Sequence, residues 1–485
     1  MTQFDKRNLS MMMDFYEMTM SYGYFHQCHG DVRVAFDLFF RSVPDKGGYA
    51  VFAGLEHVIE FVENLSFSEA DIDYFRAQNL FSEEFLSFLR GFRFRGDIYA
   101  VPEGTIIYPN EPLMTIVAPI IDAQLIETAI LAQINHQSLI ATKASRIVRA
   151  AEGRKVSDFG ARRAHNMDAA TYGARAAYIG GVDMTATVSA GQQFGIPISG
   201  TMAHSWIMFF EDEFAAFKKY AELYPQATVL LVDTYDVLHS GIPNAIRTAH
   251  EVLAPRGHRL AGVRIDSGDL AYLSKRVRTM LDDAGLTDCK IILSNSLDEF
   301  TISSLLLQGA QVDSFGVGER LITAKSDPVF GAVYKLVAVE QDGIFTPRIK
   351  MSENVEKLTN PGIKDLYRIY DRHGKAVADM LALQGEEIDL TKPFRYVDPR
   401  KPWKNRFFEG FSAVNLRRLY VREGQRVEEL PSLDEIRAYV QKQLTEEIWP
   451  EEQRFENPHR HYLDMTPMYY EVKMGLLDDM RGKHS

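Results

Sequence analysis

LAGVRIDSGD, residues 260–269, decides how the middle of this chain folds. The apolar, β-branched run GVRI ends abruptly in Asp266, Ser267, Gly268 and Asp269, and a helix-like stretch follows. That is the texture of a buried strand feeding a turn and a helix. The same arrangement recurs in VSDFGARRAH (156–165), IPISGTMAHS (196–205), TVLLVDTYD (228–236), KIILSNSLD (290–298) and VDSFGVGERL (312–321). Four of the runs, starting near Val229, Val263, Ile291 and Phe315, recur at gaps of 34, 28 and 24 residues, which suits successive βα units. Chemistry in α/β proteins sits at the C-terminal mouth of parallel strands. Each mouth here carries groups suited to phosphate, a sugar diol or a metal ion, so the chain reads as an enzyme.

Working outward, residues from about 9 to 30 place Met11, Phe15, Met18 and Tyr22 at helical spacing. VRVAFDLFFRSVP (32–44) reads as a strand, GLEHVIEFVENL (54–65) as an amphipathic helix, and 96–119 as a small β element broken by Pro and Gly. A long helix is expected over 127–151. After Leu321, KLVAVEQDGIFTPRIKMS and KDLYRIYDRHGKAVAD look like hairpins, and Ser432 with Glu435 forms a capping box before a late helix. The charged, aromatic tail after Pro450 shows no assignable pattern. The fold class is α/β: an irregular TIM-like α/β barrel with an α+β domain formed by the N-terminal part and returning C-terminal segments. An open two-layer sheet is the competing architecture for the middle. The expected boundaries are 1–150, 151–340 for the barrel, and 341–485 packing back on the first part.

At 485 residues, two or three domains are expected. A net charge of −12 (54 basic against 66 acidic residues) argues against a nucleic-acid or anionic-membrane surface. It leaves room for a local basic pocket. Cys28 and Cys289 are the sole cysteines, too few for a disulfide framework or a cysteine zinc site, which points to reduced thiols. Asp14 and Glu17 interrupt the N-terminal apolar residues, and no 18-residue apolar run occurs, so a soluble cytoplasmic protein is expected.

Asp266 and Asp269 flank Ser267 and Gly268 at one strand end; they suit a ribose diol or a magnesium ion, or else a helix N-cap. Asp233 and Asp236 in VDTYD carry the same two readings. Ser294, Asn295 and Ser296, and Gly316, Val317, Gly318 and Glu319, form turns whose exposed N–H groups suit a phosphate dianion. Arg162 and Arg163 follow a strand and suit an anion or a surface ion pair. Arg264 interrupts an apolar strand, which is costly unless it faces a polar site. His204 follows a Ser-Gly-Thr turn and suits a general base or a nucleophile towards phosphorus. Tyr16 reads as a packed aromatic on the first helix.

DFYEMTMSYGYF (14–25), FGARRAH (159–165), SGTMAHSW (199–206), GVRIDSGDL (262–270), ILSNSLDE (292–299) and FGVGERLIT (315–323), in this order, resemble nicotinate phosphoribosyltransferases of the type II phosphoribosyltransferase group. The similarity runs from about residue 9 to 370 and includes KMSENVEKLTNPGIKDLYR (350–368). The resemblance implies condensation of nicotinate with 5-phosphoribosyl-1-diphosphate to nicotinate mononucleotide and diphosphate, a step of NAD salvage (the Preiss–Handler route). It implies Mg2+ held through the substrate and by Asp266, and ATP as co-substrate of a ligase-class enzyme acting through a phosphohistidine at His204. By the same resemblance Tyr16 stacks on nicotinate from the neighbouring subunit of a homodimer, Phe159 forms the opposite wall, and Arg162 faces the carboxylate. Arg264, Asp266, Ser267 and Gly268 hold ribose and diphosphate. Thr201 belongs to the substrate site, and Ser294, Asn295, Gly316, Val317 and Gly318 form the 5-phosphate cradle. The nicotinamide-using relative carries an acidic residue near the segment matching GGVDMTATV (180–188); here Ala186 stands there, with Asp183 upstream, which favours the acid substrate. The rivals are a nicotinamide- or quinolinate-using enzyme and an inactive sugar-phosphate-binding barrel. The inactive protein should have lost His204, Arg264 or Asp266, and all three are present.

Overall fold

A computed structural model describes residues 8–28, 30–350, 358–389, 392–397 and 405–484. The chain divides into two compact units, Ile140–Pro328 and the combination of Met1–Leu139 with Val329–Ser485.

The Ile140–Pro328 unit is built on β1 (Lys155–Asp158), β2 (Met184–Thr185), β3 (Val229–Leu231), β4 (Gly262–Ile265), β5 (Lys290–Ser294) and β6 (Ser314–Val317). These strands hydrogen-bond in the order β2-β1-β6-β5-β4-β3, and every pairing is parallel. The last strand therefore lies beside the first, with Ser314 opposite Lys155 and Val317 opposite Asp158. A parallel bridge between Thr185 and Ile198 adds a further segment beyond β2. Neighbours that follow chain order around a ring, with first meeting last, are the topology of a barrel rather than of a doubly wound sheet. The ladder is recorded everywhere except between Ile198 and Val229, so the barrel is an irregular one.

Burial explains the strands. Val263, Ile265, Ile291, Leu293, Phe315 and Val317 are fully buried, whereas Arg264 is half-buried within β4. Helices follow the strands and start on side-chain caps: Asn166, Asp212, Asp269 and Asp298 accept from Ala169, Ala215, Tyr272 and Thr301 N–H at 2.7–3.0 Å.

The second unit carries an antiparallel seven-stranded sheet whose central strands are Val333–Gln341, Arg33–Phe39, Met114–Pro119 and Asp97–Ala100. The expected strand after Val32, the helix Leu55–Asn64 and the β element around 96–119 are all present. Val333–Gln341 with Ile344–Pro347, and Lys364–Tyr370 with Ala376–Leu383, form the two hairpins. Ser432 and Glu435 make the capping box, with Ser432 N–H donating to Glu435 Oε2 at 2.8 Å. The tail that carried no legible pattern contributes the strand Leu463–Met465, parallel to Ala376–Leu383, and the helix Pro467–His484. Residues 351–357 of the 350–368 motif, and residues 1–7, lie outside the described residues. Among the described residues no helix is long and apolar enough to cross a membrane.

This unit also buries a charged cluster. Arg368 donates through Nε and Nη2 to Asp379 at 2.9 and 2.7 Å. His461 lies 3.4 Å from Asp379 through Nε2 and 3.1 Å from Glu452 through Nδ1, its ring stacked 3.8 Å from that of Tyr108. The Tyr108 hydroxyl donates to Glu452 at 2.6 Å.

Candidate active site

The polar centre of the barrel unit is assembled at the C-terminal ends of β3, β4 and β5. Arg264 projects from β4 with its side chain 13% exposed. Its Nε donates to Ser294 Oγ at 2.8 Å, Nη2 to Asp266 Oδ1 at 3.0 Å and Nη1 to Thr201 Oγ1 at 3.4 Å. Ser294, the last residue of β5, also donates to Asp266 Oδ1. The guanidinium carbon stands 5.2 Å from the centroid of the Phe159 ring, a cation–π contact. A strand-embedded cation is thus held on three oxygens and one aromatic face, which offsets its removal from water.

Asp233 is the second organising group. It stands one residue beyond β3, after Val232, and its carboxylate is 1% exposed. Oδ1 lies 3.2 Å from His204 Nε2, while Oδ2 accepts the Ser267 hydroxyl at 2.6 Å and the Asp266 N–H at 3.2 Å. One carboxylate therefore holds the histidine turn and the RIDSGD turn together. An imidazole whose Nε2–H donates to Asp233 presents a neutral Nδ1 lone pair. Asp269 and Asp236 take the other role open to them: each caps a helix, Asp269 on Tyr272 N–H at 3.0 Å and Asp236 on His239 N–H at 2.8 Å.

The phosphate-suited turns adjoin this centre. Ser294 pairs in register with Gly316, and Asn295 and Ser296 both adopt left-handed backbone, with φ of 98° and 47°. Such strained conformations concentrate at functional sites. The N-terminus of the following helix is closed by Asp298, so the backbone of the turn, rather than the helix end, is what remains to meet an anion. A Cβ on Gly316 would come within 2.5 Å of Phe159 Cδ2 and Cε2, so β6 needs glycine there for the ring to lie against it. Phe159 N–H donates to Val317 O at 2.7 Å, and Gly318 lies against the Phe159 carbonyl.

At the mouth of β1, Asp158 is buried and accepts Gly160 N–H and the Thr185 hydroxyl, each at 2.8 Å. Burial raises its carboxyl above the usual carboxylate range.

The geometry brings together Phe159, Thr201, His204, Arg264, Asp266, Ser267, Ser294, Gly316, Val317 and Gly318. Gly268 occupies the turn with φ of 83°. Arg162 sits exposed on the short turn Ala161–Arg163 without a side-chain partner among the described residues, whereas Arg163 reaches Glu319 at 3.9 Å. Asn295 is exposed. Tyr16 belongs to the other unit, on the helix Phe15–Cys28, where burial and the carboxylates of Glu127, Glu17 and Asp14 push its phenol up. Asp183 bonds to Val156 N–H at 2.9 Å, near the start of β1, while Ala186 N–H bonds to the Asp158 carbonyl at the mouth. The residues that sequence reasoning underused are Asp233, one of two indistinguishable acids in VDTYD, and Asp158 with Thr185.

Family models match most of the chain: the nicotinate phosphoribosyltransferase N-terminal domain over residues 11–135, the nicotinate phosphoribosyltransferase family over 154–352 and its C-terminal domain over 363–473. A nicotinate phosphoribosyltransferase of Bacillus subtilis is 44% identical over 99% of this chain and 97% of its own. The crystal structure of human nicotinic acid phosphoribosyltransferase superposes with a TM-score of 0.83 at 28% identity, covering 96% of this chain and 100% of that one. That of a nicotinate-nucleotide pyrophosphorylase from Pyrococcus furiosus does so at 0.69 and 26%, covering 92% and 99%.

Proposed function

The chain belongs to the nicotinate phosphoribosyltransferase family, and we propose that it couples phosphoribosyl transfer to ATP through phosphorylation of His204. The enzyme transfers phosphoribose from 5-phosphoribosyl-1-diphosphate to nicotinate in NAD biosynthesis. The ring nitrogen of nicotinate attacks the anomeric carbon as the bond to diphosphate breaks, through an oxocarbenium-like state. Such a substitution asks the protein to orient the reactants and to stabilise the departing charge.

Arg264 is the group that meets the diphosphate. Its hydrogen bonds to Ser294, Asp266 and Thr201 fix it in advance, so little reorganisation accompanies the reaction. Asp266 and Ser267 take the ribose and diphosphate, with Gly268 allowing the turn between them and the next helix. The SNS turn and Gly316–Gly318 take the 5-phosphate. Phe159 forms one wall of the ring pocket and the uncommitted Arg162 meets the nicotinate carboxylate. The acid rather than the amide suits this pocket, because Ala186 stands at the mouth while Asp183 is engaged near the strand's beginning. Tyr16 closes the ring from a second copy of the chain; its exposure beside Phe15 and Met20 supports that reading.

The donor set suits magnesium. Asp266 keeps Oδ2 free of hydrogen bonds among the described residues, next to Asp233, and a magnesium ion takes one or two carboxylates plus phosphate oxygens. When bound it supplies charge neutralisation at the diphosphate.

The observation that carries ATP coupling is the Asp233 carboxylate shared between His204 and the Ser267–Asp266 turn. Attack of His204 Nδ1 on the γ-phosphorus of ATP forms the N–P bond and releases ADP. The phosphorylated ring then alters the group that holds the phosphoribosyl-diphosphate loop. Incubation with γ-labelled ATP tests this: acid-labile label on the protein and ADP formed with nicotinate mononucleotide are expected. Turnover with no ADP formed and no label retained would overturn it.

A further inference from the structure

We propose that Asp158, bridged to Thr185, is a positioning residue that sets the nicotinate pocket by locking the Phe159–Arg162 turn onto the mouth of β2. The inference rests on the reading that Phe159 and Arg162 line that pocket.

Asp158 ends β1, and its carboxylate is fully buried. Its oxygens receive two neutral donors from different places: Gly160 N–H in its own turn and the Thr185 hydroxyl at the end of β2, both at 2.8 Å. The Thr185 oxygen in turn accepts Thr187 N–H at 3.0 Å. The Asp158 carbonyl accepts Ala186 N–H at 2.8 Å. The two strand mouths are thereby joined by backbone and side chain at one residue. Among the described residues no ion pair offsets the burial of this carboxylate, a costly choice if the position were only packing.

What the link fixes is specific. Phe159 leaves the turn toward Gly316 and Arg264, where a Cβ on the glycine would strike it, so its ring has little freedom of its own. Arg162 lies three residues after Phe159 on the same short turn and has no side-chain partner to hold it among the described residues. Its place depends on the turn's backbone, which Asp158 anchors through Gly160. Arg264, Asp266 and Ser294 are held instead by bonds among β3, β4 and β5. Loosening Asp158 should therefore disturb the ring site while leaving the phosphoribosyl-diphosphate site intact.

The fitting variants are Asp158→Asn and Thr185→Val. The amide turns one acceptor into a donor facing the hydroxyl, whose proton is then left without a partner. Valine keeps the shape of threonine but removes the bridge. The expected result for both is a nicotinate KM raised about tenfold, with kcat and the KM for phosphoribosyl diphosphate little changed. Thr185→Ser, which restores the hydroxyl, should restore the nicotinate KM. Unchanged nicotinate KM in both variants, or equal rises in both KM values that serine does not reverse, would overturn the proposal. If Asp158→Asn fails to fold, Thr185→Val and Thr185→Ser decide it alone. Phe159→Ala and Arg162→Ala separate the two levels: if neither raises the nicotinate KM, the assignment of the pocket itself is wrong. If they raise it and the Asp158 and Thr185 variants do not, the positioning role is wrong.

Discussion

His204 and Asp233 meet at 3.2 Å, Nε2 to Oδ1, and the other oxygen of the same carboxylate accepts the Ser267 hydroxyl at 2.6 Å. A buried carboxylate with one oxygen on an imidazole and the other on a substrate loop is a mechanical link between two chemistries. It orients the ring, and it ties the position of the loop to the charge on that ring.

Asp233→Asn is expected to lower the ATP-stimulated rate about 100-fold or more, because the amide neither steadies the protonated ring nor fixes its tautomer. The basal reaction without ATP should fall less. A steady-state comparison with and without ATP checks this, and equal loss in both would assign Asp233 a purely structural role.

His204→Ala should abolish ATP-coupled turnover and leave a slow ATP-independent reaction, since Arg264, Asp266 and Ser294 keep their mutual bonds without it. ADP formation per nicotinate mononucleotide is the measurement. An alanine variant with the parent's ATP stoichiometry would exclude the histidine from coupling.

Gly316→Ala places a methyl group 2.5 Å from two atoms of the Phe159 ring. Either the ring shifts or the strand does. Overpacking of this kind costs about 1–3 kcal/mol, and the displaced ring also widens the nicotinate pocket. A lower Tm together with a raised nicotinate KM is expected, read by thermal unfolding and initial rates on one preparation.

The strand mouths were legible because each apolar run stops abruptly at Asp, Ser or Gly. Which acid at a mouth does what was not legible. RIDSGD and VDTYD each hold two aspartates three apart, and either can end a strand or cap a helix. In both turns the aspartate ending the strand joins the site and the later one caps, Asp266 against Asp269 and Asp233 against Asp236. The spacing from strand end to helix start makes that division, and composition does not carry it. The barrel's order became visible only with the pairing of β6 on β1, a contact between segments some 160 residues apart in the sequence. The charged tail after Pro450 was opaque for a related reason. Its Glu452 and His461 are buried against Tyr108 and Asp379, partners that no local window contains.

That cluster yields a prediction about pH. Burial alone would lower the His461 pKa, but Asp379 and Glu452 outweigh it and the pKa is raised above the ordinary histidine value. A raised pKa means that the folded state binds the proton more tightly than the unfolded chain. The resulting stability is fully present below the unfolded value of about 6.5 and is lost as pH rises through the folded value. Asp379 works the other way: against its burial, Arg368 and His461 hold its carboxyl far below the usual range. Its contribution is present at neutral pH and is lost only in strong acid. His461→Gln keeps a polar ring-sized group but removes the charge, leaving Asp379 and Glu452 buried without one cation. Breaking a buried pair in this way costs about 3–5 kcal/mol. The variant should therefore unfold well below the parent at pH 6, and the gap should narrow as pH rises above neutrality. Tm measured for both proteins from pH 6 to 9 reads the difference directly; a gap independent of pH would show that folding does not shift His461, and a gap that widens with pH would show that it is neutral in the folded protein.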